Sequence, residues 1–124
     1  IEIVIGGQSF RIEVARTGLQ EKEIQDTGRE YVSAVIESTT RASYYPEAGP
    51  ITVKVLAEKG TGKFLGGQIV GKEGAAKRID ILATALHAGF TVSELAELDL
   101  SYAPPYSPLW DPVAIAARVA AKKV

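Results

Sequence analysis

The groups in this chain best equipped for chemistry are phenols. Four of its five tyrosines, Tyr44, Tyr45, Tyr102 and Tyr106, stand beside prolines in two short stretches, Tyr44-Tyr45-Pro46 and Tyr102-Ala103-Pro104-Pro105-Tyr106. A tyrosine carries a hydrogen-bond donor and acceptor on a side chain of low rotamer entropy. It can orient a ligand or give a proton to a developing anion. The plainer reading is two apolar plugs whose hydroxyls are merely wet. The second stretch lies within residues 99–112, where four prolines and three aromatics fall together. No helix or central strand can run through such a segment. It is a stiff apolar loop, packed on its own core or presented to a partner or ligand.

The remaining candidates are weaker. The single histidine, His87, falls late in a predicted helix with no nucleophile motif nearby, which favours a surface or packed role over a catalytic one. No His or carboxylate cluster has metal-ligand spacing. Gly60-Thr61-Gly62-Lys63 resembles part of a phosphate loop, but Phe64 stands where Ser or Thr is needed, so a hairpin turn is expected. Gly66, Gly67 and Gly71 fall in or after a predicted strand and do not form a dinucleotide fingerprint. Lys77-Arg78-Ile79-Asp80 reads as the solvated face of a helix, or else as a face that sets charge register with a second subunit.

Composition bounds the rest. The chain has 124 residues, enough for one domain with a real core, and is 46% hydrophobic and 23% charged. A net charge of -1 gives no field to draw nucleic acid or an anionic membrane. The absence of cysteine excludes disulfides, thiolate metal sites and a cysteine nucleophile within the chain. No apolar run reaches membrane-spanning length. The start, Ile1-Glu2-Ile3-Val4-Ile5, lacks Met and any signal-peptide pattern, so a piece of a longer protein is expected, cytoplasmic by default.

The elements that must position the tyrosines follow from periodicity. Short strands are expected at Ile1–Ile5 and Phe10–Ala15, the second with Phe10, Ile12 and Val14 half-buried. Thr17-Gly18-Leu19-Gln20 is read as a capping box opening a short helix to about Thr27. Strands follow at Tyr31–Glu37, Ile51–Glu58 and Phe64–Val70. Ala75–Ala88 predicts a helix with Ile79, Leu82, Ala83 and Leu86 on its apolar face. Thr91 and Glu94 form a capping box for a helix to about Leu98. Asp111-Pro112 is an N-cap with proline at the first helical position, opening a last helix to about Lys122. Hairpin-linked strands with helices on one face make an α+β domain.

An ordered set of motifs now carries a resemblance. These are Val14-Ala15-Arg16-Thr17-Gly18-Leu19, Tyr44-Tyr45-Pro46, Leu65-Gly66-Gly67-Gln68-Ile69-Val70-Gly71, Lys77 through Ala85, Thr91-Val92 with Glu94-Leu95-Ala96, and Asp99 through Ser107. Over roughly residues 10–124 the chain resembles the C-terminal dimerisation domain of FAD-dependent pyridine nucleotide-disulfide oxidoreductases, in the branch of NADH oxidases and coenzyme A-disulfide reductases. The departure is at the start, where Gly6-Gly7-Gln8-Ser9 replaces the apolar strand usual in the family.

The resemblance implies a division of labour. N-terminal domains would bind FAD and NAD(P)H and supply a redox-active cysteine, so this domain alone would bind neither cofactor. It would join two subunits as a homodimer and lay Ala103, Pro104 and Pro105 over the partner's flavin site. Tyr44 or Tyr45, with Tyr102 and its neighbour Tyr106, would reach the partner's substrate site, with coenzyme A as a candidate ligand. A glutathione-reductase-like enzyme places His-Pro in this loop, whereas this chain has Ala103-Pro104, which implies a single-cysteine enzyme instead. The competing reading is a free-standing small-molecule binding module on the same fold, without a redox role.

Overall fold

The computed structural model describes residues 1–124. Its frame is a four-stranded antiparallel sheet built from β3 (Glu13–Gly18), β4 (Tyr31–Thr39), β5 (Pro50–Glu58) and β6 (Phe64–Gly71), in the order β3-β6-β5-β4. Before it, β1 (Glu2–Ile5) and β2 (Gln8–Arg11) form a separate two-stranded ribbon. The helices are α1 (Glu21–Asp26), α2 (Ala75–Ala88), α3 (Val92–Ala96) and α4 (Pro112–Ala121).

Strand alternation divides the sheet into a covered and an open face. Ile51, Val53 and Val55 of β5 and Ile69 of β6 point to one side and pack with Leu82 and Ala85 of α2, Leu95 of α3 and Val113, Ala116 and Ala117 of α4. This is the main core, and it sets α2 and α4 side by side above the sheet. Leu56 and Leu65 point the other way, where Ile24 of α1 covers them. The rest of that face is open, with Val14 and Val70 paired across β3 and β6 and both exposed. The α+β reading therefore stands, with α2, α3 and α4 on one face and short α1 beneath the other. No helix is long and apolar enough to cross a membrane.

The first part of the chain departs from its sequence reading. The expected strand Phe10–Ala15 is broken at Ile12 into β2 and β3. Phe10 and Val14 are exposed, and the inward residues of β3 are Ala15 and Thr17. The cause is the closeness of α2. A Cβ placed on Gly67, the cross-strand partner of Thr17, would come within 2.6 Å of Leu82 Cδ1. Only small residues fit beneath a helix at that distance, so the larger Val14 takes the open face. Thr17 likewise belongs to β3 and caps nothing. The N-cap of α1 is Gln20, whose N–H donates to the Glu23 carboxylate at 2.7 Å.

Elsewhere the predicted elements and the structure coincide. Helix α2 occupies Ala75–Ala88 and ends at Gly89. Thr91 caps α3, its Oγ1 accepting from Glu94 N at 3.2 Å. Asp111 caps α4, its carboxylate accepting from Val113 N at 2.9 Å with Pro112 in the first turn.

Candidate functional site

The two tyrosine stretches are loops that leave the sheet and helix layers on the same side and are tied together. The first runs from the end of β4 to the start of β5, and the second from α3 to α4. Ala42 N–H donates to Pro104 C=O at 3.0 Å, which joins them directly. Inside the first loop Tyr45 N–H donates to Ala42 C=O at 2.8 Å. Inside the second, Tyr106 N–H and Ser107 N–H both donate to Ala103 C=O, at 2.9 and 3.0 Å. The Ala103-Pro104-Pro105 segment is thus a closed turn, half-buried and held on both sides.

The tyrosines part into distinct environments. Tyr44 is 76% exposed, Tyr102 46% and Tyr106 80%. Tyr44 nevertheless acts on Tyr102 across the two loops. Hydrogen bonding to the Tyr44 side chain raises the Tyr102 phenol above its ordinary range, with desolvation and repulsion from a Tyr44 phenolate adding in the same direction. Tyr45 is half-buried, with the Arg41 guanidinium 5.8 Å from its ring centre. Arg41 is itself paired with Glu73 and donates to Pro46 C=O at 3.4 Å. Tyr45 thereby fastens its loop, while Tyr44 projects.

Two clefts flank these loops. One, of about 790 Å³, lies between α3, the second loop and α4, and is lined by Leu98, Tyr102, Leu109, Trp110 and Arg118. Trp110 lies over Arg118 at 3.9 Å, a close cation–π contact on an exposed edge. The other, of about 630 Å³, is more polar and takes in Arg41, Tyr45, Lys77, Pro105 and Tyr106. Ser101, Ser107 and Asp111 line both.

Arg78 overturns its sequence reading. It is not on a solvated helix face. Only 7% exposed, it shares the inward face of α2 with Ala75, Leu82 and Ala85. Its Nη2 donates to Thr40 C=O and to Tyr106 C=O, each at 3.1 Å, and its Nε to Asp111 Oδ2 at 3.3 Å. Lys77 and Asp80 do lie exposed as expected. Nothing in the local pattern distinguishes Arg78, because all of its acceptors come from distant parts of the chain. Asp111, an evident N-cap, was the only sequence signal available, since a capping carboxylate has a second oxygen free for a cation.

The glycines do not make a nucleotide cradle. Gly60 and Gly62 lie at the turn joining β5 to β6, and Gly66, Gly67 and Gly71 inside β6. A Cβ at Gly66 would run into the backbone of Leu19, and one at Gly67 into Leu82. Their role is close packing of strand against strand and helix, whereas a dinucleotide cradle needs glycines at a strand-to-helix turn. His87 sits exposed in the last turn of α2, where a cation suits the helix dipole.

The ordered motifs and the sheet-and-helix frame match one group of proteins. The family of pyridine nucleotide-disulphide oxidoreductase dimerisation domains matches residues 8–112. This chain belongs to that family. The dimerisation domain is 41% identical over 108 residues to an NAD(P)H coenzyme A polysulfide/persulfide reductase of Pyrococcus horikoshii, covering 87% of this chain and 24% of that protein. It is 36% identical over 98 residues to a coenzyme A disulfide reductase of Staphylococcus epidermidis, covering 79% and 22%. Among solved structures it matches an NAD-dependent persulfide reductase from A. fulgidus with a TM-score of 0.88 and 46% identity, over 92% of this chain and 21% of that one. The dimerisation domain therefore spans about a quarter of the length of the curated relatives it matches. The family match begins at Gln8, the first residue of β2, so β1 and the glycine pair of its turn fall outside it.

Proposed function

We propose that this dimerisation domain is the C-terminal part of a longer FAD-dependent NAD(P)H oxidoreductase. The parent enzyme reduces a disulfide, such as coenzyme A disulfide or a polysulfide, or reduces oxygen. Two subunits pair through the domain. Its Ala103-Pro104-Pro105 turn covers the partner's flavin site, and Tyr44 and Tyr102 reach the partner's substrate. FAD and NAD(P)H are held by the rest of the parent chain, and this domain supplies only the cover.

One observation carries the reading. Tyr44 and Tyr102 project, both exposed, from two separate loops that are tied to each other by Ala42 N–H to Pro104 C=O and braced by prolines. A pair of phenols so placed can hydrogen bond a substrate sulfur and give a proton to a departing thiolate. Tyr45, fastened beneath Arg41, and Tyr106, whose backbone is held by Arg78, shape the pocket around that pair. Reduction of coenzyme A compounds is what the Pyrococcus and Staphylococcus relatives are named for, which favours a disulfide over oxygen.

The experiment is steady-state kinetics of the full-length enzyme carrying Tyr44→Phe or Tyr102→Phe, with coenzyme A disulfide and with oxygen as acceptors. Turnover with the disulfide falls by about 10²-fold or more if a phenol is the general acid. Flavin content and dimerisation stay intact. Wild-type rates with every acceptor would reduce both tyrosines to packing and end the proposal.

A further inference from the structure

Arg78 is the one buried cation of the domain, and it touches both tyrosine loops and the helix that follows them. Thr40 C=O opens the first loop, Tyr106 C=O lies in the second, and Asp111 ends it as the cap of α4. Ser107 Oγ adds a long bond to Asp111 Oδ2 at 3.4 Å. A guanidinium suits this position because its planar fork serves several acceptors at once, and a lysine ammonium on a flexible stem does not. The rest of the link is one backbone bond, Ala42 N–H to Pro104 C=O. That bond lies between Thr40 and Tyr44 on one side and between Tyr102 and Tyr106 on the other. Fixing Thr40 and Tyr106 on one rigid group therefore fixes the angle at which both tyrosines leave.

We infer that Arg78 is a positioning residue that locks the two loops together and so fixes how Tyr44 and Tyr102 stand relative to each other. It touches neither phenol and acts through the loop backbones. What the clamp is for rests on the proposed reading of the tyrosine loops, whereas the clamp itself is a property of this chain and can be tested apart from it.

The test is nuclear magnetic resonance on the chain labelled with ¹³Cζ-tyrosine, with each ring assigned from Tyr→Phe variants and titrated to high pH. In the wild-type chain Tyr102 ionises above the ordinary phenol range. In Arg78→Lys, which keeps the charge but not the fork, Tyr102 returns toward the ordinary range. A second variant guards against a failure to fold. Arg78→Met combined with Asp111→Asn leaves no charge unpaired and keeps a good helix cap, so it removes the clamp without leaving a lone buried ion. Tyr102 relaxes in this variant too. A folded variant of either kind with Tyr102 still raised, or a wild-type Tyr102 in the ordinary range, would overturn the inference. A raised Tyr102 that relaxes in the Arg78 variants, combined with unimpaired kinetics of the tyrosine variants, would leave the clamp standing and remove the proposed function instead.

Discussion

Tyr44 and Tyr102 come from different loops and neither is buried, yet the Tyr44 side chain holds the Tyr102 phenol above its ordinary range. The joint that sets them together, Ala42 N–H to Pro104 C=O, stands two positions before Tyr44 and two after Tyr102. Two exposed side chains lose rotamer freedom by pairing, and water competes for both hydroxyls. The backbones beneath them are held by closed turns and by Arg78, so part of that cost is already met by the loops.

Removing Tyr44's hydroxyl should bring Tyr102 down. Its neutral form is favoured first by its hydrogen bond to Tyr44, so Tyr44→Phe lowers the Tyr102 pKa toward the ordinary phenol value. The sign for stability follows from the raised pKa. The contribution is fully present below the unfolded phenol pKa and is lost as pH rises through the higher folded value. An ultraviolet tyrosinate titration of the variant checks the direction. An unchanged or higher Tyr102 value would show that the hydroxyls do not pair.

Two neighbouring cations on α2 should respond very unequally to truncation. Arg78→Ala leaves the largely covered Asp111 carboxylate without its cation and two carbonyls without a donor, at about 3 kcal/mol of stability. Lys77, 93% exposed, has only a long contact to Asp80 at 3.9 Å. Lys77→Ala should change stability by less than about 0.5 kcal/mol. Urea unfolding of both variants decides it, and equal losses would return Arg78 to the solvated face that its charge pattern suggests.

Glu21 gives the fold an acid-sensitive tie. Its carboxylate is held below the usual range first by its hydrogen bond from Lys54, which outweighs desolvation, with further help from the Tyr31 hydroxyl and the Lys54 charge. Because the folded pKa is the lower one, the stabilisation is present above the unfolded carboxylate pKa and disappears as pH falls through the folded value. The pair is partly exposed, so Glu21→Gln should cost less than about 1 kcal/mol at neutral pH. The difference between variant and wild type should shrink steadily below about pH 4.5, the unperturbed carboxylate value. A difference that persists into strong acid would rule out the ion pair as its source.

Much of this frame can be read in the chain itself. Helix α2, the capping pairs Thr91–Glu94 and Asp111–Pro112, and the buried row Ile51-Val53-Val55 are local patterns, and each forms where its pattern lies. The grouping of tyrosines with prolines also marks the two loops that the fold joins. What escapes is long-range. The inward face of β3 is set by how closely α2 passes over Gly67, which reverses the alternation suggested by Phe10, Ile12 and Val14. Arg78 looks like any charged residue in an exposed row until Thr40, Tyr106 and Asp111 converge on it. The choice of Tyr44 over Tyr45 as the partner of Tyr102 likewise depends on Arg41, Glu73 and a turn that no spacing reveals.

The central claim is that each domain completes the active site of the other subunit, and a hybrid dimer tests it most directly. One full-length subunit carries Tyr44→Phe and Tyr102→Phe together. The other keeps both tyrosines but has its redox-active cysteine, expected in the N-terminal region, changed to Ser. Each homodimer is impaired at both sites. If the tyrosines act across the interface, the hybrid has one site with an intact cysteine and the partner's intact tyrosines, and disulfide reduction returns to about half the wild-type rate per dimer. If the tyrosines serve their own subunit, no intact site forms in any pairing. A hybrid no faster than the tyrosine variant would contradict the account.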